Sequence, residues 1–361
     1  MRGQPFRAVR FISSVLLLFG VLVFGNPANS APPPRELVVH TFVDYGPLIE
    51  RTVSKRMMER FNTKVIWQEE LIQNAYAKVL TQQRNPEVSV TIVDPVHYLR
   101  GVSAGVWEKI DPKIVTNYAT LYPAARQTYP QMLGVPLQAN TVGIQYRTDV
   151  FLQRGFDPPT GYADLWRPEF KGRVGLTSGA SGTGIRMLLI FAKMRGGDEN
   201  KMEPGFDLVK DLVQKQDVRF FATSSGNFNS VMQRGEIWIG VQFSQGAFRF
   251  KSEGAPVNHV YPKEGVSLNV NGVAIVKGAP QPELAQQFVN LLIDPEFQTE
   301  MARELWSVPV RPGITLPSLY ARTLPLLPDQ WKAMVIPNWG LYSQKFSEWS
   351  ERWLREVERR R

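Results

Sequence analysis

Cysteine is absent from this 361-residue chain. That excludes a disulfide framework, a thiolate metal site and a cysteine nucleophile. Histidine is nearly absent as well: only His40, His97 and His259 occur, too few for an ordinary zinc site or a histidine-based relay. After residue 24 no apolar stretch approaches the roughly 20 residues that a membrane-spanning helix needs. Past Pro34 there is neither an internal repeat nor a low-complexity tract. A large charge excess is also lacking once the +9 is partitioned. Arg2, Arg7 and Arg10 lie at the extreme N-terminus. Arg352, Arg355, Arg359, Arg360 and Arg361 outnumber Glu356 and Glu358 at the other end. The body between is close to balanced, which removes the basic footprint expected of a nucleic-acid binder. The arginine-rich end suits a solvated helix terminus, where positive charge complements the helix dipole.

What remains is an ordinary globular composition, 43% hydrophobic and 21% charged. The length suggests about two domains, because single cores rarely grow beyond roughly 250–300 residues. The N-terminus reads as an export leader over residues 1–30. Three arginines precede an apolar run from Phe11 to Phe24. Small residues, Ala28 and Ser30, then stand at −3 and −1 of a cleavage site after Ser30. Without a following cysteine, lipid anchoring is excluded. The sequence therefore predicts a soluble, periplasmic protein, and Pro32-Pro33-Pro34 a stiff entry into the fold.

From Glu36 onward short apolar runs alternate with helical periodicity. Strands are expected at Leu37–Phe42, Lys64–Trp67 and Val88–Val93, with helices from Pro47 to Phe61 and from Glu69 to Gln82. Asp94-Pro95 opens another helix, with Asp as cap and Pro at the first position. Further strands are expected at Arg173–Leu176, Val218–Phe221, Ile237–Val241 and Gly272–Val276. Helices are expected at Gly182–Met194, Asn227–Arg234 and Pro282–Ile293, with Asp294-Pro295 capping the next and a tryptophan-rich helical end beyond Pro328. The alternation implies an α/β protein with parallel strands and crossover helices. Two lobes are expected: residues 35–138 plus 272–312, and residues 139–271, with 313–361 packing on them as a C-terminal helical segment. The chain should cross between lobes at Val135–Asn140 and again near Leu268–Gly272. Ligands of open α/β sheets bind at the carboxyl ends of strands, so two facing lobes would share a cleft.

Several local patterns coincide with a known group. Val135-Pro136 through Gly143-Ile144-Gln145-Tyr146 resembles the "VPY…GT.GL.YN" crossing of bacterial periplasmic solute-binding proteins. Thr160 through Val174 is similar to the group's "SW.DLW.PE.KGKV" block. Gly235-Glu236, Tyr261-Pro262-Lys263-Glu264-Gly265, and Lys277-Gly278-Ala279-Pro280 through Asp294-Pro295-Glu296 match further blocks in the same order. The ordered set resembles extracellular solute-binding family 1, which contains iron(III), polyamine, thiamine and phosphonate receptors. The resemblance implies a type II periplasmic binding fold: two Rossmann-like lobes joined by hinge strands, with the ligand cleft between them. It also implies a monomeric subunit that needs no cofactor and hands a small molecule to an inner-membrane ABC permease after hinge closure.

The candidate site residues follow from where strands end. Ser178, Ser181, Gly182 and Thr183 lie in a Gly- and Ser-rich turn that opens a helix, an arrangement able to cradle phosphate, phosphonate or carboxylate. Ser224 and Ser225 form a second such start. Both turns also read as plain helix caps. Phe42, Asp44, Tyr45 and Asp94 face them from the first lobe; Asp44 and Asp94 cap helices or, facing the cleft, suit an ammonium group. Gln138, Asn140 and Thr141 lie on the crossing strand. Gln242 and Ser244 alternate on another, and Asn269 and Asn271, two apart, share a face, although loop or turn chemistry accounts for these residues equally well.

The departures point the same way. Polyamine receptors of the family place Trp and Asp where Asn269 and Asn271 stand, and iron receptors use an adjacent tyrosine pair absent from Gln245-Gly246-Ala247-Phe248-Arg249-Phe250. Arg249, near that loop, reads as a solvated surface arginine or could pair with an anionic ligand. A small anionic or zwitterionic solute, an organophosphonate or phosphorylated metabolite, is therefore favoured, with polyamine, thiamine or iron(III) as alternatives. A partner of a membrane sensor kinase would share the fold. An exported hydrolase fits poorly, because Gly179-Ala180-Ser181-Gly182-Thr183 lacks the last glycine of a nucleophile elbow.

Overall fold

Two strand systems share a single long strand. The computed structural model describes residues 33–317, 331 and 334–359. The expected leader, and part of the segment beyond Pro328, lie outside the described residues. The first system runs β1 (Arg35–Thr41), β2 (Thr63–Glu69) and β3 (Val90–Val93), joined by α1 (Gly46–Ile49), which continues through a π turn into α2 (Lys55–Phe61), and by α3 (Ile72–Thr81). β1 pairs in parallel with β2 and β3. All four residues of β3 are buried, as expected for a strand covered on both faces. α4 (Pro95–Ala104) and α5 (Pro123–Gln127) follow.

The shared strand is β4 (Val135–Arg147), 13 residues long and buried at every position except Arg147. Its first half pairs with β9 (Leu268–Ile275) and its second half with β7 (Ile239–Phe243) and β8 (Val257–Val260), antiparallel in each case. Pro136 sits beside a register shift, where a residue without an N–H is tolerated. After α6 (Thr148–Arg154), β5 (Val174–Thr177) leads into α7 (Gly182–Met194) and α8 (Glu203–Gln216). β6 (Phe220–Ala222), α9 (Ser225–Gln233), β7 and α10 (Ser244–Ser252) complete the second system. α11 (Pro282–Leu292), α12 (Pro295–Leu305) and the short β10 (Val308–Pro309) return to the first. The C-terminal helix α13 (Trp339–Trp353) ends in a π turn, Leu354–Glu358.

Two large apolar clusters correspond to the two strand systems. One runs from Leu37 through Ala139 and again from Val266 to Met334; the other runs from Val142 to Val241 and takes in Trp339, Tyr342, Trp349, Trp353 and Val357. Val96 and Leu99 of α4 pack against the second cluster, so α4 meets α13 at the junction.

Several expectations need correcting. The strands are not uniformly parallel: β3–β9, β9–β4 and β4–β7 are antiparallel, because the chain leaves one system and must come back. The return runs through residues 261–267, since β8 ends at Val260 and Leu268 already pairs with Thr141; the sequence placed it at Leu268–Gly272. The stretch Gln245–Phe250 is part of α10 and not a loop. α8 lies outside the helices expected from the sequence, although Phe206, Val209 and Leu212 form its buried face.

Candidate functional site

Between the two systems lies a cavity of about 1070 Å³. Its floor is the β4–β9 pair. Gln138 lies opposite Asn271 and Asn140 opposite Asn269, so four carboxamides form two cross-strand pairs on one face. All four line the cavity. The carbonyl of Gln138 is engaged: its Oε1 accepts from Tyr45 Oη and Ser307 Oγ, each at 2.6 Å. Asn269 Nδ2 donates to Asn271 Oδ1 at 2.9 Å. Asn140 Oδ1 is buried and accepts nothing from the described residues.

Asp94 borders this floor. Its Oδ1 accepts from the backbone N–H of His97 at 2.7 Å, capping α4, and lies 2.8 Å from His97 Nδ1. The sequence offered a cap or a cleft carboxylate as alternatives; Asp94 is both. The other cavity carboxylates have cationic partners. Asp44 and Glu253 share Arg249, at 3.0 and 3.3 Å. Glu304 pairs with Arg51 and Glu70 with Lys78. Asp94 alone among them has no Lys or Arg within salt-bridge distance among the described residues. Arg249 therefore does not stand free for a ligand. It reaches from α10 to Asp44, a residue held at φ +71°, and so spans the two walls.

Phe42 and Tyr45 form part of one wall, with ring centroids 5.4 Å apart. Burial pushes the Tyr45 phenol well above its ordinary range, so it acts as a neutral hydrogen-bonding post. Ser225 lines the opposite wall. Ser224 does not; its Oγ accepts from Asn227 N–H at 3.1 Å and caps α9. Gln242 lies behind the wall, accepting from Ser225 Oγ at 3.1 Å. Ser244 Oγ accepts from Thr141 N–H at 3.3 Å, bracing β4.

Ser178, Ser181, Gly182 and Thr183 do not line the cavity. Their loop does hold an anion, but one supplied by the chain itself. Glu358 Oε1 accepts from Ser178 Oγ at 2.8 Å, from Gly179 N–H at 3.1 Å and from Trp353 Nε1 at 2.8 Å. Ser181 Oγ caps α7 through Gly184 N–H, and Gly182 O accepts from Tyr342 Oη. The Trp353 ring occupies the space a side chain at Gly179 would need, 2.1 Å from a Cβ placed there. Local sequence could mark this loop as an anion cradle but not which anion fills it.

Arg186 escaped the sequence reading. It stands on α7 amid Ile185, Met187, Leu188, Leu189 and Ile190, all buried. A lone arginine in an apolar helical run is itself a signal, since a buried charge demands a partner. Its guanidinium lies 4.9 Å from the centroid of Phe243, a cavity residue.

Residues 53–328 match the family of bacterial extracellular solute-binding proteins. The chain belongs to this family. It is 27% identical over 322 residues to the spermidine/putrescine-binding periplasmic protein of Escherichia coli strain K12, covering 86% of this chain and 85% of that protein. It is 25% identical over 292 residues to a Salmonella typhimurium protein named "Putative 2-aminoethylphosphonate-binding periplasmic protein", covering 78% and 79%. The fold is shared with the spermidine/putrescine ABC transporter substrate-binding protein PotD of Streptococcus pneumoniae, at TM-score 0.75 and 17% identity over 90% of this chain and 99% of that one. A Clostridium perfringens ABC transporter structure aligns at TM-score 0.76 and 21% identity, covering 89% and 99%. This solute-binding protein is accordingly the substrate-binding component of an ABC transporter and not an enzyme.

Proposed function

We propose that the protein captures, in the periplasm, a small solute carrying an ammonium group and presents it to an inner-membrane ABC permease. The observation that carries this is Asp94: a cavity carboxylate whose Oδ1 is used by α4 and which, among the described residues, has no Lys or Arg within salt-bridge distance, Arg186 acting on it only from farther away. Asn140 Oδ1 is an unpartnered acceptor on the adjoining floor. A carboxylate and a carboxamide oxygen are what an ammonium, with three donors and no acceptor, requires. The surrounding carboxylates Asp44, Glu70, Glu253 and Glu304 are paired with Arg249, Lys78 and Arg51, which leaves Asp94 as the carboxylate open to a cationic group. Support for the expected phospho-compound moves away from the Ser178–Gly184 loop, because Glu358 already holds those donors.

The test is isothermal titration of the mature chain against putrescine, spermidine, 2-aminoethylphosphonate, 4-aminobutyrate and glycerol 3-phosphate. Asp94→Asn is the informative variant, because asparagine caps a helix as well as aspartate does while removing the charge. A charge-assisted hydrogen bond is worth about 1.5–3 kcal/mol, so affinity for the amine-bearing ligand should fall about ten- to hundred-fold with an unchanged melting curve. Binding of glycerol 3-phosphate alone, or unchanged affinity in Asp94→Asn, would defeat the reading.

A further inference from the structure

Capture of an ammonium group leaves Arg186 unexplained. Its side chain is buried, with 5% of the residue exposed. Its Nε has no hydrogen-bond partner among the described residues. Among the described residues no carboxylate lies within salt-bridge distance of it. Burial dominates its surroundings and holds the guanidinium below its ordinary range, opposed by the more distant charge of Asp94 and by Tyr342. Among the described residues its side chain makes one hydrogen bond, and that bond is long: Nη1 reaches Asn269 Oδ1 at 3.5 Å. Its other polar contact is the Phe243 ring face. Asn269 and Phe243 both line the cavity, so the guanidinium stands one residue behind the floor, on the second-lobe side. Gly182 lies against the same Nη1, which a Cβ there would approach within 3.2 Å.

An arginine stays protonated in proteins, and a buried charge is unfavourable unless it is paired and hydrogen-bonded. A carboxamide oxygen at 3.5 Å is a poor counter-group. An oxyanion is a far better one, since guanidinium pairs with carboxylate or phosphonate oxygens by short, forked hydrogen bonds. We propose that Arg186 is the anion anchor of the cleft and that the solute is an aminoalkyl oxyanion. Its ammonium sits on Asp94 and Asn140, and its carboxylate or phosphonate on Arg186. The inference rests on the ammonium reading above. Asn269 is a positioning residue. Its Oδ1 keeps the guanidinium aimed at the floor while its Nδ2 is tied to Asn271, and the arriving oxyanion replaces the weak contact. The floor thus discriminates zwitterions from diamines, which leave a buried cation facing a second cation.

The experiment titrates the exported chain with putrescine, 4-aminobutyrate, 2-aminoethylphosphonate and ethylphosphonate, and repeats it with Arg186→Met and Arg186→Lys. The expected result is binding of an aminoalkyl oxyanion in preference to putrescine. Arg186→Met should lose about a hundredfold or more toward it, with partial recovery in Arg186→Lys, while putrescine affinity stays the same or rises. Tighter binding of putrescine than of both zwitterions would overturn the inference and leave the ammonium reading standing. Equal losses toward every ligand in Arg186→Met would also overturn it, marking Arg186 as structural. Binding of ethylphosphonate as tight as that of 2-aminoethylphosphonate would keep the anchor and defeat the ammonium reading instead. If Arg186→Met does not fold, the ligand order of the unaltered chain decides.

Discussion

At the scale of single residues, polar groups in this cleft hold more than one job. Asp94 closes the N-terminus of α4 and also borders the cavity; Gln138 ties Tyr45 to Ser307 and also forms part of the floor. The buried histidines show the opposite case, groups held neutral by their surroundings. Burial lowers His259 to about 4, against a small rise from a Gln242 backbone contact. His40 is lowered to about 4 by burial and then by Lys78, with Glu70 opposing. Because the unfolded chain takes up these protons near 6.5, its ordinary value, while the native chain resists until about 4, the unfolded state binds more protons between those limits. Stability is complete above about pH 6.5 and falls as the pH drops toward 4. For His259 the loss at pH 5 is on the order of 2 kcal/mol. Melting temperatures measured from pH 7 to pH 4.5 should decline, and His259→Gln should flatten the decline. A flat profile in the unaltered chain would show that neither histidine is held neutral.

At the scale of elements, the turn before α7 and the end of α13 form one unit. The helix N-terminus supplies Ser178 and Gly179 donors, and the C-terminal π turn supplies Glu358. Trp353, fully buried, lies between them and donates to the same carboxylate. Glu358→Ala should therefore leave buried donors unmet and cost about 1–3 kcal/mol. Trp353→Ala should cost about 3–5 kcal/mol through lost burial and the cavity left behind. Denaturant titration measures both. Neither change touches the cavity floor, so ligand affinity at temperatures where the variants are folded should stay within about threefold, a shift well below one charged hydrogen bond. A loss of binding in Glu358→Ala equal to that of Asp94→Asn would return the loop to the ligand site.

At the scale of the whole molecule, the two strand systems share β4, and residues 261–267 lead from β8 back to β9. Gln245 of α10 reaches Leu305 O at 2.8 Å and Ser307 Oγ at 3.1 Å, and Arg249 reaches Asp44. These contacts tie α10 to the segment after β1 and to the end of α12 beside the cavity. A ligand that touches Asp94 on one side and Arg186 on the other binds the closed arrangement in preference to any more open one, and so shifts the population toward closure. Ligand at a thousand times its dissociation constant should stabilise the fold by about 4 kcal/mol, raising the midpoint by several degrees. A thermal-shift series over ligand concentration checks this, and a midpoint independent of concentration for a ligand bound in titration would contradict it.

Local sequence alone determined the α/β alternation, the helix start at Gly182 and its end at Met194, the Asp94 and Asp294 caps, and the sharing of one face by Asn269 and Asn271. Each depends on periodicity, capping or strand alternation over a few residues, and that information is local. The polar floor was legible for the same reason. Tertiary structure decided what lies opposite what. It paired Asn140 with Asn269, turned Gln245–Phe250 into a helix braced on the first lobe, gave Arg249 to Asp44, and filled the Ser178–Gly184 cradle with a carboxylate some 180 residues away in the chain. It also set Arg186 behind the floor. No local pattern specifies such partners, because the contact forms only when separate elements pack, and whether a donor serves a ligand or the protein depends on which acceptor arrives there.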